Sequence, residues 1–352
     1  MNETMNYFRP EVEAMDGYVP GEQPQGGKFI KLNTNENPYP PSAKAVQAIQ
    51  EAAATKLVRY PDPLGTPFRI RAGEVLGVDP DWILCGNGSD DILTICTRAF
   101  VGDGQWLRLP YPSYVLYTTL AAIQGAESEE IPFQGNWSLA SDFHVASANL
   151  QLAFMPNPHS PSGKIVSRED ILKLADALPC PLLVDEAYVD FADFNCLDLV
   201  AQNEKIMVSR TLSKSYALAG LRFGFLVAQP QMIAQLRKVK DSYNCDALSI
   251  AGATAAMDDQ TWLSENRGKV IATRARLTAA MRELGFDVTD SQANFVWCTH
   301  QDRDLYALYA QLKQQQILVR YMNYEDWGAG LRITVGTDQQ IDALLAVLGT
   351  II

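Results

Sequence analysis

Short unbroken apolar runs alternate with helix-period stretches through the middle of this chain. Trp82 to Cys85, Gln105 to Leu109, Gln151 to Met155, Pro181 to Val184, Lys205 to Val208 and Phe223 to Val227 read as strands. Between them, Ile92, Leu93, Ile95, Cys96, Ala99 and Phe100 fall at helical spacing. A second helix runs from Ser167 to Leu178, with Ser167 as cap and Glu169 and Asp170 in its first turn, and a third from Gln231 to Lys240. An unbroken apolar strand suits a parallel sheet covered on both faces. Strand-helix alternation from residue 82 to about 230 therefore predicts an α/β fold with a doubly wound, mostly parallel sheet. In such a sheet the loops at the carboxyl ends of the strands line the site.

The two ends of the chain read differently. Residues 1 to 45 are rich in Pro, Gly and Asn, and helix is expected there only near Pro10 to Met15. An Ala-rich helix follows from Ser42 to Leu57 and stops before the rigid turn Arg59-Tyr60-Pro61-Asp62-Pro63. Asp259 to Leu284 is long, helical and charged, and can connect two domains. Beyond it come strands at Phe295 to Trp297, Ile317 to Tyr321 and Leu331 to Val335, with helices at Asp304 to Gln314 and from Thr337. A chain of 352 residues exceeds the usual size of one core. The expected organisation is an N-terminal arm over 1–45 packing on the small domain, a large domain over 46–258 and a small α+β domain over 259–352.

A net charge of -12 argues against nucleic acid and anionic membranes, which are bound by clustered Lys and Arg. Any anionic ligand must then be held by a few local cations. Six cysteines lie far apart with no C-x-x-C, and there are only three histidines, so neither a zinc site nor a disulfide framework is expected. Dispersed thiols suit a reducing cytoplasm. The N-terminus does not read as a signal peptide, and no stretch approaches the ~18 apolar residues of a membrane span.

The candidate chemistry gathers in Ser209-Arg210-Thr211-Leu212-Ser213-Lys214 and on to Arg222. Small hydroxyls and a guanidinium suit a phosphate monoester, and a lysine among them can hold an aldehyde as a Schiff base. Pyridoxal phosphate has both groups. Asp185 ends a buried apolar run, where a carboxylate needs a cation, and the pyridinium nitrogen of that cofactor is one. Gly86-Asn87-Gly88-Ser89-Asp90 follows a strand and opens a helix, where free N–H groups can meet a phosphate. Ser89 is equally well read as a helix cap. Tyr114, just past a strand end, is either a ring that stacks on the cofactor or packing. Three prolines among Pro156 to Pro161 make a stiff loop suited to a cis bond. Arg320 and Arg332 fall on neighbouring predicted strands.

These residues resemble the fold-type I pyridoxal-phosphate aminotransferases, on the histidinol-phosphate aminotransferase branch. The carrying motifs are Gly17-Tyr18-Val19-Pro20-Gly21-Glu22, Leu32-Asn33-Thr34-Asn35-Glu36-Asn37-Pro38, Arg59-Tyr60-Pro61-Asp62, Gly88-Ser89-Asp90, Asp185-Glu186-Ala187-Tyr188, Thr211 to Arg222, and Leu331-Arg332-Ile333-Thr334-Val335-Gly336. They span nearly the whole chain in family order. The resemblance makes Lys214 the Schiff-base lysine and proton shuttle, with Asp185 on the pyridinium and Tyr188 on the phenolic oxygen. Tyr114 then stacks on the ring, while Ser89, Asp90, Thr211, Ser213 and Arg222 hold the phosphate. Tyr60 would reach the other subunit's cofactor, which implies a homodimer with shared sites. Arg332 and Arg320, with Tyr18 and Asn35, are implied for the substrate. Where the family usually has Asn-Pro-Thr-Gly, this chain has Ser160-Pro161-Ser162-Gly163, so Ser160 stands in the place of an amide that touches the phenolic oxygen. The implied reaction is transfer of an amino group from histidinol phosphate to 2-oxoglutarate in two half-reactions. An aromatic-amino-acid aminotransferase and a threonine-phosphate decarboxylase are related alternatives. A non-catalytic regulator on the same fold is disfavoured by the presence of both Lys214 and Asp185, and a dinucleotide-binding protein by the lack of G-x-G-x-x-G after a strand.

Overall fold

Successive side chains of one central strand go to opposite faces of the large sheet. Leu182 and Val184 join one apolar core, Leu183 the other, and all three are fully buried. Ile206 and Val208 against Met207, and Phe225 and Val227 against Leu226, divide in the same way. This is why the runs are unbroken: each face of the sheet has its own cover.

The structure, a computed structural model, describes residues 7–17, 21–24 and 28–352. Its strands are β1 (Ile30–Leu32), β2 (Ile83–Gly86), β3 (Trp106–Tyr111), β4 (Glu127–Pro132), β5 (Leu150–Pro156), β6 (Leu182–Asp185), β7 (Ile206–Thr211), β8 (Gly224–Val227), β9 (Asp287–Val288), β10 (Phe295–Thr299), β11 (Ile317–Tyr324) and β12 (Gly328–Thr334). The large sheet has the order β2-β8-β7-β6-β5-β3-β4, with β8 antiparallel to both neighbours and the other pairs parallel. Gly86, Tyr111, Pro156, Asp185 and Thr211 thus end their strands on one edge. The fold class read from the sequence is the one observed.

The small sheet has the order β1-β11-β12-β10-β9. Part of the N-terminal segment enters it, since β1 pairs parallel with β11 and Leu32 is buried in the small core. The short helix Pro10–Ala14 instead packs on the helix Leu116–Ile123 of the large sheet. The long helix Gln260–Glu283 touches β9 and β10 at one side and the turn Val189–Phe191 at another, so it joins the two sheets' surroundings.

Several elements were not expected from the sequence. Glu127–Pro132 is an edge strand, and its Glu129 accepts from Nε of the buried Arg108 at 2.7 Å. Ala247–Asp258 is a separate helix before the long one, started by Asp246, which accepts from the N–H groups of Leu248 and Ser249 at 2.8 Å. Thr66–Leu76, with weak periodicity, and Leu116–Ile123 are further helices. The helix expected over Gln231 to Lys240 spans Pro230–Leu236. Asn157–Pro158, Ser160–Pro161 and Tyr111–Pro112 are cis.

Candidate active site

The strand ends on the large sheet and the inner wall of the small sheet enclose a cavity of about 250 Å³. Ser89, Asp90, Tyr114, Ser160, Asp185, Tyr188, Thr211, Ser213, Lys214, Arg222, Asn35, Arg320 and Arg332 all line it. Two sequence-derived candidates stand apart. Tyr18 lies outside the described residues, and Tyr60 is 81% exposed, stacked on Tyr243 with ring centroids 4.6 Å apart.

One end of the cavity is built for an anion. The helix Ser89–Phe100 begins there, preceded by Gly88 at φ 86, a conformation that favours glycine. A Cβ on Gly88 would come within 2.6 Å of the Arg222 guanidinium, and one on Gly224 within 2.6 Å of the Ser89 nitrogen. Both glycines keep this cradle open. Arg222 donates to Ser213 Oγ at 3.3 Å and to Asp90 Oδ2 at 3.2 Å. Thr211 Oγ1 donates to Ser213 Oγ at 3.0 Å and accepts from the Ser213 N–H at 3.1 Å. A helix start, two hydroxyls and a guanidinium fit a phosphate monoester.

At the base of the cavity Asp185 is buried, with Oδ2 accepting from Tyr117 at 2.7 Å. Oδ1 accepts from Ser209 Oγ and from the Ala187 N–H, both at 3.2 Å. Burial raises its pKa above the ordinary carboxylate value, and the hydrogen bonds from Tyr117, Ser209 and Ala187 offset part of that rise. Burial and the neighbouring Asp185 push the Tyr117 phenol far up, so it stays a donor. Lys214 Nζ donates to the Thr34 carbonyl at 3.3 Å and sits 5.7 Å from the centre of the Tyr188 ring. An amine, a buried carboxylate and a phosphate cradle in one cavity fit pyridoxal phosphate: Lys214 would meet its aldehyde, Asp185 its ring nitrogen.

Arg320 and Arg332 face each other in register across β11 and β12. Arg332 donates to Ser160 Oγ at 2.9 Å and to the Asn33 carbonyl at 3.3 Å, and its guanidinium carbon lies 5.3 Å from the Phe295 ring centre. Its Nε is buried without a partner among the described residues. Ser160 is therefore bonded to the arginine. Asn157 does not replace it, because its amide forms a closed pair with Val166, donating at 3.1 Å and accepting at 2.8 Å.

Other functional neighbours were not read from the sequence. Tyr117 is one. His159 is another, buried and held neutral, its pKa lowered by burial to about 3. Its Nε2 donates to the Pro112 carbonyl at 2.8 Å, since a carbonyl only accepts, and Nδ1 accepts from Ser162 Oγ at 2.8 Å. It ties the loop of Tyr114 to the loop of Ser160. Behind the cavity, Glu186 accepts from Arg210 at 2.8 and 2.9 Å, Arg210 lies 3.8 Å from Asp190, and Asp190 accepts from Ser215 Oγ. Glu186, Arg210 and Ser215 are chain neighbours of Asp185, Thr211 and Lys214, so this network of four residues ties three parts of the site together.

Comparison with known proteins agrees with this chemistry. The family described as aminotransferase class I and II matches residues 27–348. A histidinol-phosphate aminotransferase of Rhodopirellula baltica is 60% identical over 342 residues, covering 97% of this chain and 94% of that protein. One from Syntrophotalea carbinolica is 42% identical over 348 residues, covering 99% and 100%. Among solved structures, the histidinol-phosphate aminotransferase of Sinorhizobium meliloti in complex with pyridoxal-5'-phosphate superposes with a TM-score of 0.88. It covers 99% of this chain and 100% of that one at 24% identity, a likeness of fold.

Proposed function

The chain belongs to the class I and II aminotransferase family, and on that premise we propose that it transfers the amino group of L-histidinol phosphate to 2-oxoglutarate, giving imidazole acetol phosphate and L-glutamate. It is a pyridoxal-phosphate-dependent transaminase. The observation that carries the substrate reading is the pair Arg320 and Arg332, in register on the cavity wall. Among the described residues no carboxylate forms an ion pair with either. Histidinol phosphate has no α-carboxylate, and glutamate has no phosphate, so one cationic centre must take an anion of each.

The cofactor, when bound, supplies the electron-withdrawing ring that makes the substrate Cα–H acidic. Asp185 would keep the ring nitrogen protonated, because an ion pair there would offset the desolvation of its buried carboxylate. Lys214 Nζ would take the proton from the substrate Cα as general base and deliver it to the former aldehyde carbon as general acid. Thr211, Ser213, Arg222 and the start of the helix Ser89–Phe100 would hold the phosphate, Tyr114 would stack on the ring, and Tyr188 would hydrogen-bond the phenolic oxygen. Arg332, steadied by Ser160, orients the substrate, and Arg320 adds the second charge for a phosphate.

The enzyme acts as a homodimer in this reading, with Tyr60 reaching the partner's cofactor phosphate. The exposed apolar run Leu57, Val58 and Tyr60 supports such a contact. Six buried thiols, none in a disulfide, support a cytoplasmic setting, and no helix among the described residues is long and apolar enough to cross a membrane. The deciding experiment is a half-reaction assay comparing histidinol phosphate, phenylalanine and threonine phosphate as donors. Histidinol phosphate should convert the cofactor fastest; a clear preference for phenylalanine, or carbon dioxide release from threonine phosphate, would replace this reading.

A further inference from the structure

Asn35 links Thr334 of the small sheet to the Tyr188 hydroxyl. It is 1% exposed and adopts φ 56, a left-handed backbone that Asn tolerates better than most residues. Its backbone is bonded at both polar groups: the N–H donates to Thr334 Oγ1 at 3.0 Å, and the carbonyl accepts from Asn294 Nδ2 at 3.0 Å. Its side chain makes two more bonds. Oδ1 accepts from Thr334 Oγ1 at 3.1 Å, and Nδ2 donates to the Tyr188 hydroxyl at 2.9 Å. The reciprocal pair with Thr334 orients the amide. Thr334 Oγ1 takes the Asn35 N–H and gives its one hydrogen to Oδ1, which leaves the NH₂ end facing Tyr188.

A phenol has one hydrogen to give. Because the Tyr188 oxygen already accepts from Asn35, its hydrogen must point elsewhere, and Tyr188 lines the cavity beside Lys214. The ring itself is fixed edge-on to Phe295, with centroids 5.0 Å apart and planes at 88°. The Asn157 amide is taken up by Val166 and Cys196 and does not share the work of Tyr188, while Ser160 Oγ accepts from Arg332 and keeps its own hydrogen.

We propose that Asn35 is a positioning residue that aims the Tyr188 proton at the phenolic oxygen of pyridoxal phosphate, and thereby sets the pH at which the bound cofactor titrates. The inference rests on the reading of Tyr188 given above. A hydrogen bond donated to the ionised phenolic oxygen favours that form and lowers its apparent pKa. Losing the aim of Tyr188 should raise it.

The test is a pH titration of the visible absorbance of the holoenzyme without substrate, so it does not depend on turnover. Asn35→Gly removes the amide while suiting the left-handed backbone. In the native background it should raise the apparent pKa by about 0.5–1 unit, and in a Tyr188→Phe background by almost nothing, because the effect passes through the tyrosine. Equal shifts in the two backgrounds, or no shift in the native one, overturn the proposal. A lower melting temperature without the coupled shift would be a purely structural role and overturns it too. If Asn35→Gly does not fold, Asn35→Asp keeps the volume and offers the tyrosine an acceptor in place of a donor. The negative charge then acts in both backgrounds, but the rise should be larger by about 0.5 unit when Tyr188 is present; equal rises overturn the proposal. If Tyr188→Phe itself leaves the titration unmoved, the assignment of Tyr188 fails and this inference with it. If Tyr188→Phe moves it and Asn35→Gly does not, the inference alone fails.

Discussion

Tyr117, on the helix Leu116–Ile123, donates a 2.7 Å hydrogen bond to Asp185 Oδ2, and both groups are buried. That bond stabilises a carboxylate whose burial works against its charge. On the function proposed above, a cationic ring nitrogen would meet this carboxylate.

A cost in stability should follow when the ring is missing. Asp185 has a folded pKa above its ordinary value, so the native state binds more protons than the unfolded one between those two values. Its contribution is therefore fully present below the ordinary carboxylate pKa and is lost as pH rises through the raised one. In the cofactor-free protein at pH 7, Asp185→Asn should melt at a higher temperature than wild type, and the difference should shrink as the pH falls into the carboxylate range. The same variant should bind pyridoxal phosphate more weakly. Thermal melts of the cofactor-free protein across pH check the first claim. A lower melting temperature for Asp185→Asn at pH 7 would show that the three hydrogen bonds already outweigh burial.

Lys214 should be separable from the phosphate grip. Lys214→Ala leaves Thr211, Ser213 and Arg222 in place, so it should still take up cofactor but lose turnover by roughly 10³-fold or more, since the proton-moving amine is gone. In wild type, borohydride treatment followed by peptide mapping should find the pyridoxyl group on Lys214. Turnover within tenfold of wild type in the variant would remove Lys214 from the mechanism.

Tyr60 cannot serve the cavity of its own chain from an exposed stack on Tyr243. If it serves a partner's, Tyr60→Ala and Lys214→Ala chains are defective in different halves of one shared site. Mixed after mild dissociation, they should regain activity in heterodimers that contain one intact site. Sedimentation would report the dimer. A monomer, or mixtures no more active than the parents, would count against sharing.

How much of this was legible in the sequence depended on distance along the chain. Thr211, Ser213, Lys214 and Arg222 are near neighbours, and their chemistry reads as a cluster. Asp185 was legible because a sheet covered on both faces writes an unbroken apolar run, and a carboxylate at its end is conspicuous. Tyr117 and Asn35 were not legible in their observed roles, because their partners lie 68 and 153 residues away and only the strand order brings them together. The edge strand Glu127–Pro132 was hidden by its acidic residues, one of which, Glu129, pairs with the buried Arg108. Ala247–Asp258 was hidden because apolar residues surround the helix and leave no stripe to read.

The arginine pair carries the widest consequence for substrate choice. Arg332 is fastened to Ser160 and Asn33, while no hydrogen bond or ion pair fixes the Arg320 head group to a carboxylate among the described residues. A fastened guanidinium suits an anion present in both substrates, whereas the second charge matters most for a phosphate dianion. Arg332→Ala should therefore impair both half-reactions, each by about 10- to 150-fold in kcat/KM, the equivalent of a charged hydrogen bond of about 1.5–3 kcal/mol. Arg320→Ala should weaken histidinol phosphate more than phenylalanine. Single-turnover rates of each half-reaction, followed through the cofactor spectrum, separate the two arginines. Equal losses for phosphorylated and unphosphorylated donors in Arg320→Ala would mean that Arg320 does not read the phosphate, and selectivity would then have to come from elsewhere on the cavity wall.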